Sequence, residues 1–113
     1  MFGAFNSVIG AARDRAAEAA ASAYIRRKIE GFGELRQLQI DSRQKTIVLE
    51  VMLRGEVSPV QITIVSYEIV RRGGEAYVQL KKVSASREWL GVALSKYVVG
   101  QEFKVPGAVA AML

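Results

Sequence analysis

The stretch LQIDSRQKTIVLEVMLRGEVSPVQITIVSYEIVRRGGEAYVQLKKV, Leu38 to Val83, decides the fold. Runs rich in Ile, Val, Leu and Tyr alternate in it with breaks built from Gly, Pro, Ser, Asp and charged residues. Leu38 to Ile40 leads into the turn-rich Asp41-Ser42-Arg43-Gln44. TIVLEVML then sets Ile47, Leu49, Val51 and Leu53 against Val48, Glu50 and Met52. Arg54-Gly55-Glu56 breaks the chain before VQITIVSYEIV, residues 60–70. Arg71-Arg72-Gly73-Gly74-Glu75 is the clearest turn signal, because paired glycines accept the left-handed conformations of a tight hairpin. AYVQLKKV returns from it as a fourth strand. A hairpin is the simplest connection at each break, so residues 35–83 read as a four-stranded antiparallel meander.

Helical patterns flank the sheet. Residues 7–30 are alanine-rich, contain no proline and stop at Gly31. At 100° per residue, Ile9, Ala12, Ala16, Ala20 and Ala23 share one stripe, with Asp14, Glu18 and Ser22 roughly opposite. Small side chains let the helix approach a sheet or another helix closely. A second reading is a membrane-surface helix anchored by Phe2 and Phe5. After the sheet, Ser84 and Ser86 offer N-caps, and Trp89, Leu90, Ala93, Leu94, Tyr97 and Val98 recur at helical spacing until Gly100, giving a helix over 87–99. Residues 100–113 form an apolar tail: Phe103 and Val105 are extended, and Pro106 opens a helical turn into AVAAML. The fold class is α+β, one domain over 1–113: an N-terminal long helix, the meander and a C-terminal helix.

Composition excludes much chemistry. The absence of Cys and His removes disulfides, Cys/His zinc sites, thiol nucleophiles and imidazole triads. The net charge of +5 is spread as +2 over residues 1–33, +2 over 34–83 and +1 over 84–113, unlike the concentrated footprint of a phosphate-binding face. The N-terminal stretch is interrupted by Asn6 and Ser7 and lacks the pattern of a signal peptide, which makes cytoplasmic residence the expectation.

The remaining acid/base candidates are Glu50 and Glu68, set within apolar strands, where burial would raise a carboxyl pKa. A strand glutamate facing solvent or a cross-strand cation is the commoner arrangement. Gly31-Phe32-Gly33 follows a helix where a dinucleotide-binding glycine turn requires a strand. Tyr67, Tyr77, Trp89 and Phe103 could stack bases only if they shared a face with cations, and without a basic-aromatic pattern nucleic acid is not an expected partner. No cofactor or metal is indicated, and the chain reads as a non-enzyme. Arg26, Arg27 and Lys28 close the first helix, spread over about 200° of its circumference, where its dipole favours each exposed cation by about 0.3–1 kcal/mol. Arg27 is the candidate for a head-group phosphate at the rim of the apolar face.

The strands carry apolar residues on both parities. Val48 and Met52 oppose the Ile47 set, and Val65, Tyr67 and Ile69 oppose Ile62 and Ile64, so both faces of the sheet call for cover by helix, subunit or ligand. LQIDSRQKTIVLEVMLRGEVSPVQITIVSYEI, its LRGE bend, the SREWL helix and the tail pattern Val98, Gly100, Phe103, Val105 and Pro106 resemble the LmeA-like phospholipid-binding, or tubular lipid-binding, group across residues 24–108. The resemblance implies a strongly curved sheet that holds acyl chains against a long helix. It points to Ile47, Leu49, Val51, Ile62 and Ile64 as ligand-facing, with Ala16, Ala20 and Ala23 opposite them. The expected function is therefore binding of a phospholipid or other apolar ligand, or peripheral membrane contact through Phe2, Phe5 and the C-terminal tail. Self-association is expected, and the alternative function is a scaffolding homo-oligomer whose apolar faces are subunit interfaces.

Overall fold

The computed structural model describes the backbone of residues 2–113 and the side chains of residues 14–113. Its elements are α1 (Phe2–Lys28), β1 (Gly33–Asp41), β2 (Thr46–Leu53), β3 (Val60–Arg72), β4 (Glu75–Ala85), α2 (Glu88–Tyr97), β5 (Glu102–Val105) and α3 (Gly107–Met112). The strands form one antiparallel sheet in chain order. The chain is thus α+β, with an N-terminal helix, a curled antiparallel sheet and a C-terminal helix. The sheet has five strands where four were expected, because the segment around Phe103 and Val105 pairs with Ala76–Gln79 at the β4 edge.

The turns follow their residues. Gly73 and Gly74, at φ +59° and +79°, form the two-residue loop that closes Arg72 onto Glu75. Asp41 Oδ1 accepts from the backbone N–H groups of Arg43 and Gln44 at 3.1 and 3.2 Å, folding the β1–β2 hairpin as an Asx turn. Ser84 and Ser86 are not caps of α2: Ser84 lies in β4, and Ser86 Oγ accepts from the Gln61 N–H at 2.9 Å.

Bulges decide which face each residue joins. Arg36 in β1, Val65 in β3 and Lys81 in β4 stand outside the cross-strand register. Each such insertion inverts the odd–even alternation beyond it and coils the sheet. Ile62 and Ile64 therefore share a face with Tyr67 and Ile69, which strict alternation places opposite. Across the sheet this face runs in rows: Leu35, Val51 and Val60; Leu38, Leu49, Ile62 and Ala85; Ile40, Ile47, Ile64 and Val83; Tyr67 and Leu80; Ile69, Val78 and Phe103. The other face carries Gln37, Glu50 and Gln61, then Gln39, Val48, Thr63 and Ser84, then Glu68, Gln79 and Glu102. One face is core and the other is mainly polar, so the second face does not need the apolar cover the sequence implied.

All three helices pack on the core face. In α1 the buried residues are Ala17 and Ala21, joined by the half-buried Ala20, Tyr24, Ile25 and Ile29. The expected stripe is one position out of phase: Ala20 touches the core, whereas Ala16 and Ala23 are exposed, and Ile9 and Ala12 lie outside the described side chains. Six alanines between Ala16 and Ala23 leave the apolar pattern without a phase. The acids set it. Glu18 Oε1 accepts from the Ile40 N–H at 2.9 Å, and Asp14 Oδ1 accepts from the Ser42 hydroxyl at 2.6 Å. Both carboxylates turn to the outer edge of β1, where they also occupy backbone that would otherwise template another strand. The stripe then runs on through Ile25 and Ile29 with no change of face.

The apolar tail closes the core. Val109, Ala110 and Leu113 are buried between α1 and the sheet. The Leu113 main-chain oxygen accepts from Lys45 Nζ and from the Tyr67 hydroxyl, the latter at 3.1 Å, while the Tyr24 hydroxyl donates to the Lys104 carbonyl at 2.8 Å.

Candidate functional site

The sequence-derived ligand residues of the strands are brought together in the core, with Ala20 packed against it, whereas Ala16 and Ala23 are exposed. Ile47, Leu49 and Val51 are buried, their partners Ile64 and Ile62 face the same way, and the core they join includes Ala17 and Ala21 of α1 and Val109 and Ala110 of α3. Val105, Val109, Ala110 and Leu113 of the tail are buried, so these tail residues, expected to touch a membrane, are engaged inside the fold. Phe2 and Phe5 lie outside the described side chains.

The other candidates separate. Glu68 lies 3.2 Å from Lys81 as an exposed ion pair, and Glu50 sits on the polar face beside Gln37, Gln39 and Gln61. Tyr67 is buried, Tyr77 belongs to the polar face, Phe103 edges the core face and Trp89 is on α2, so no aromatic platform forms. Among the described residues no cluster of metal-ligating side chains occurs. A cleft of about 650 Å³ between α1 and the β1–β2 hairpin is lined by Asp14, Glu18 and Asp41, whose carboxylates already accept backbone N–H bonds.

β5 is held by exposed charges. Arg72 pairs with Glu102, and Lys104 Nζ lies 2.8 Å from Glu75 Oε1, while the Tyr77 hydroxyl donates to Glu75 Oε2 at 2.8 Å. The hydrogen bond from Lys104, then that from Tyr77, holds the Glu75 carboxyl below its usual pKa; the same bond to Glu75 raises Lys104. A lowered carboxyl pKa gives stability that is present above the ordinary carboxylate value and lost as pH falls through the lowered one. A raised lysine pKa gives stability that is lost only as pH climbs through the raised value. Amide-exchange protection of Glu102–Val105 should therefore be level near neutrality and fall below about pH 4. Glu75→Gln should remove the Glu75 share of that acid limb, and an unchanged limb would refute the assignment.

One end of the sheet has a different character. The start of β1, the end of β2, the start of β3 and the end of β4 all lie there, as antiparallel order dictates. The Arg54 N–H donates to the Phe32 carbonyl at 2.9 Å, joining the α1–β1 turn to the β2–β3 loop. Arg87 donates to Ser58 Oγ at 2.6 Å, joining that loop to the start of α2. Gly31, at φ +94°, stops α1 and projects Phe32, which is 72% exposed; Val57, in the β2–β3 loop, is 96% exposed. Around them stand Arg26, Arg27, Lys28, Arg36, Arg54 and Arg87 against Glu30, Glu34, Glu56 and Glu88, a net excess of two cations. Arg27 is exposed, and Lys28 Nζ rests 5.5 Å from the Tyr24 ring centroid.

The sequence singled out Arg27 at this end but not Phe32 or Val57. Their signal was available: each is a large apolar residue inside a glycine- or proline-marked turn, where no core face can claim it. No protein-family model, curated protein or solved structure matches this chain.

Proposed function

We propose that this chain is a non-enzymatic domain that docks on an anionic lipid surface through the loop end of its sheet. The observation that carries the reading is the exposure of Phe32 and Val57 at that end, among charged residues with a net excess of two cations. Inserting an aromatic ring or a valine into the acyl boundary contributes about 1.5–3 kcal/mol each, and each cation near an anionic leaflet about 1 kcal/mol. Together these suffice for reversible binding without a spanning segment; among the described residues no helix is long and apolar enough to cross a membrane. Lipid held against Ile47, Leu49, Val51, Ile62 and Ile64, as the family resemblance implies, would have to share the core with Val109 and Ala110 of α3.

Co-sedimentation with vesicles rich in phosphatidylserine, beside vesicles of phosphatidylcholine alone, tests this. The expected result is binding to the first only, weakened at high salt because screening shortens the reach of exposed charge. Phe32→Glu and the combined Arg26→Ala/Arg27→Ala change should each reduce it about tenfold or more. Absence of binding by the unmodified protein, or binding indifferent to both variants, would overturn the proposal.

A further inference from the structure

Helix α2 has an outward stripe that is self-complementary. Leu90 and Leu94 turn to the core, and at 100° per residue the opposite side presents Glu88, Val92 and Lys96, with Trp89 beside them. None of the α2 residues is buried; Val92 is 62% and Trp89 55% exposed. Glu88 lies four residues before Val92 and Lys96 four after it, so the stripe reads acid, apolar, base about its midpoint. Among the described residues neither Glu88 nor Lys96 has an ion-pair partner, and Lys96 rests 5.5 Å from the ring of its neighbour Tyr97.

We propose that α2 is a homodimer contact, with a second copy of this chain packed antiparallel about a two-fold axis through Val92. A two-fold contact uses one patch twice, so it requires a surface complementary to itself. Reversal about Val92 sets each Glu88 level with the Lys96 of the other copy, while Val92 meets Val92. Lys96 then also approaches the face of the opposing Trp89, a favourable site for a cation. The contact extends past α2. A shallow groove beside it, lined by Val83, Ala85, Gly91 and Ser95, follows the part of β4 that β5 leaves uncovered. That added surface matters because a single ten-residue helix falls short of the roughly 800 Å² per partner of a stable interface.

An acid at the start of a helix and a base at its end also suit the helix dipole. The dipole leaves Val92 and Trp89 unexplained, and it makes the opposite prediction for a charge exchange. Sedimentation velocity in lipid-free buffer over the micromolar range, with circular dichroism to confirm folding, separates the two. The unmodified protein should dimerise with rising concentration. Lys96→Glu should weaken the dimer about tenfold or more by opposing like charges twice, and Val92→Glu should do the same at the axis. Glu88→Lys combined with Lys96→Glu should restore it. A monomer at every concentration, a Lys96→Glu dimer as strong as the original, or a double exchange no better than Lys96→Glu alone would overturn the proposal. Phe32 and Val57 take no part and the buffer holds no lipid, so dimerisation can fail while docking stands, and the reverse.

Discussion

Val109→Asp is expected to remove several kcal/mol of folding stability, seen as a large fall in the midpoint of urea denaturation. Val109 is buried in the tail helix, against the core that α1 and the sheet share. The change loses about 1.5–3 kcal/mol of apolar burial and places a carboxylate within a cluster of apolar side chains, a cost of several more unless the tail undocks. Against a total of about 5–15 kcal/mol for a domain of this kind, that is most of the margin. The same variant decides where the tail belongs. A tail held outside the fold for membrane contact would carry the new carboxylate with unchanged stability and weakened vesicle binding, and that outcome would contradict the packing described here.

Gly33→Ala is the second large effect, and its cause is close approach of backbone. A Cβ at Gly33 would stand 2.5 Å from the Met52 carbonyl oxygen and 3.0 Å from Leu53 Cα, both in the main chain of the neighbouring strand. β1 must shift at its first residue, beside the bond from Arg54 to Phe32. The expected loss is about 1–3 kcal/mol by chemical denaturation, as for other overpacked sites. Gly107→Ala is the matched control. Nothing lies within 4 Å of that added methyl, and Gly107 has helical surroundings. It should leave stability unchanged or raise it slightly by restricting the unfolded chain. Equal losses from the two variants would show that crowding at Gly33 is not what matters.

The strands and turns were legible because local chemistry specifies them: paired glycines at 73–74, an Asx turn at Asp41, β-branched runs between. The extended state of Phe103 and Val105 was legible, but not that β5, four residues long, joins the sheet through β4 and the charges of Arg72, Glu75, Glu102 and Lys104. No local pattern encodes such pairing. The inference of two apolar faces failed for a definite reason. It counted residues, whereas a sheet counts hydrogen-bonded steps, and Val65 and Lys81 break the equivalence. The phase of α1 failed because its alanines are interchangeable, while the two acids that fix it looked like solvent-facing residues. At the loop end, the Arg26-Arg27-Lys28 triplet was conspicuous as sequence, yet its apolar companions became visible only when antiparallel order gathered three separate turns.

The tail that completes the core has a consequence for synthesis. Tyr24 is bonded to Lys104, 80 residues later, and α1 packs on α3. Helix α1, made before the sheet, is therefore among the last parts to be finished. At about 5–20 residues per second, the apolar side of α1 waits several seconds for the segment that covers it. The β3–β4 hairpin, closed by two glycines, can form while the rest of the chain is still emerging. Nascent chains paused before Gly107 should then be the form most dependent on chaperones, with α1 as the segment they hold.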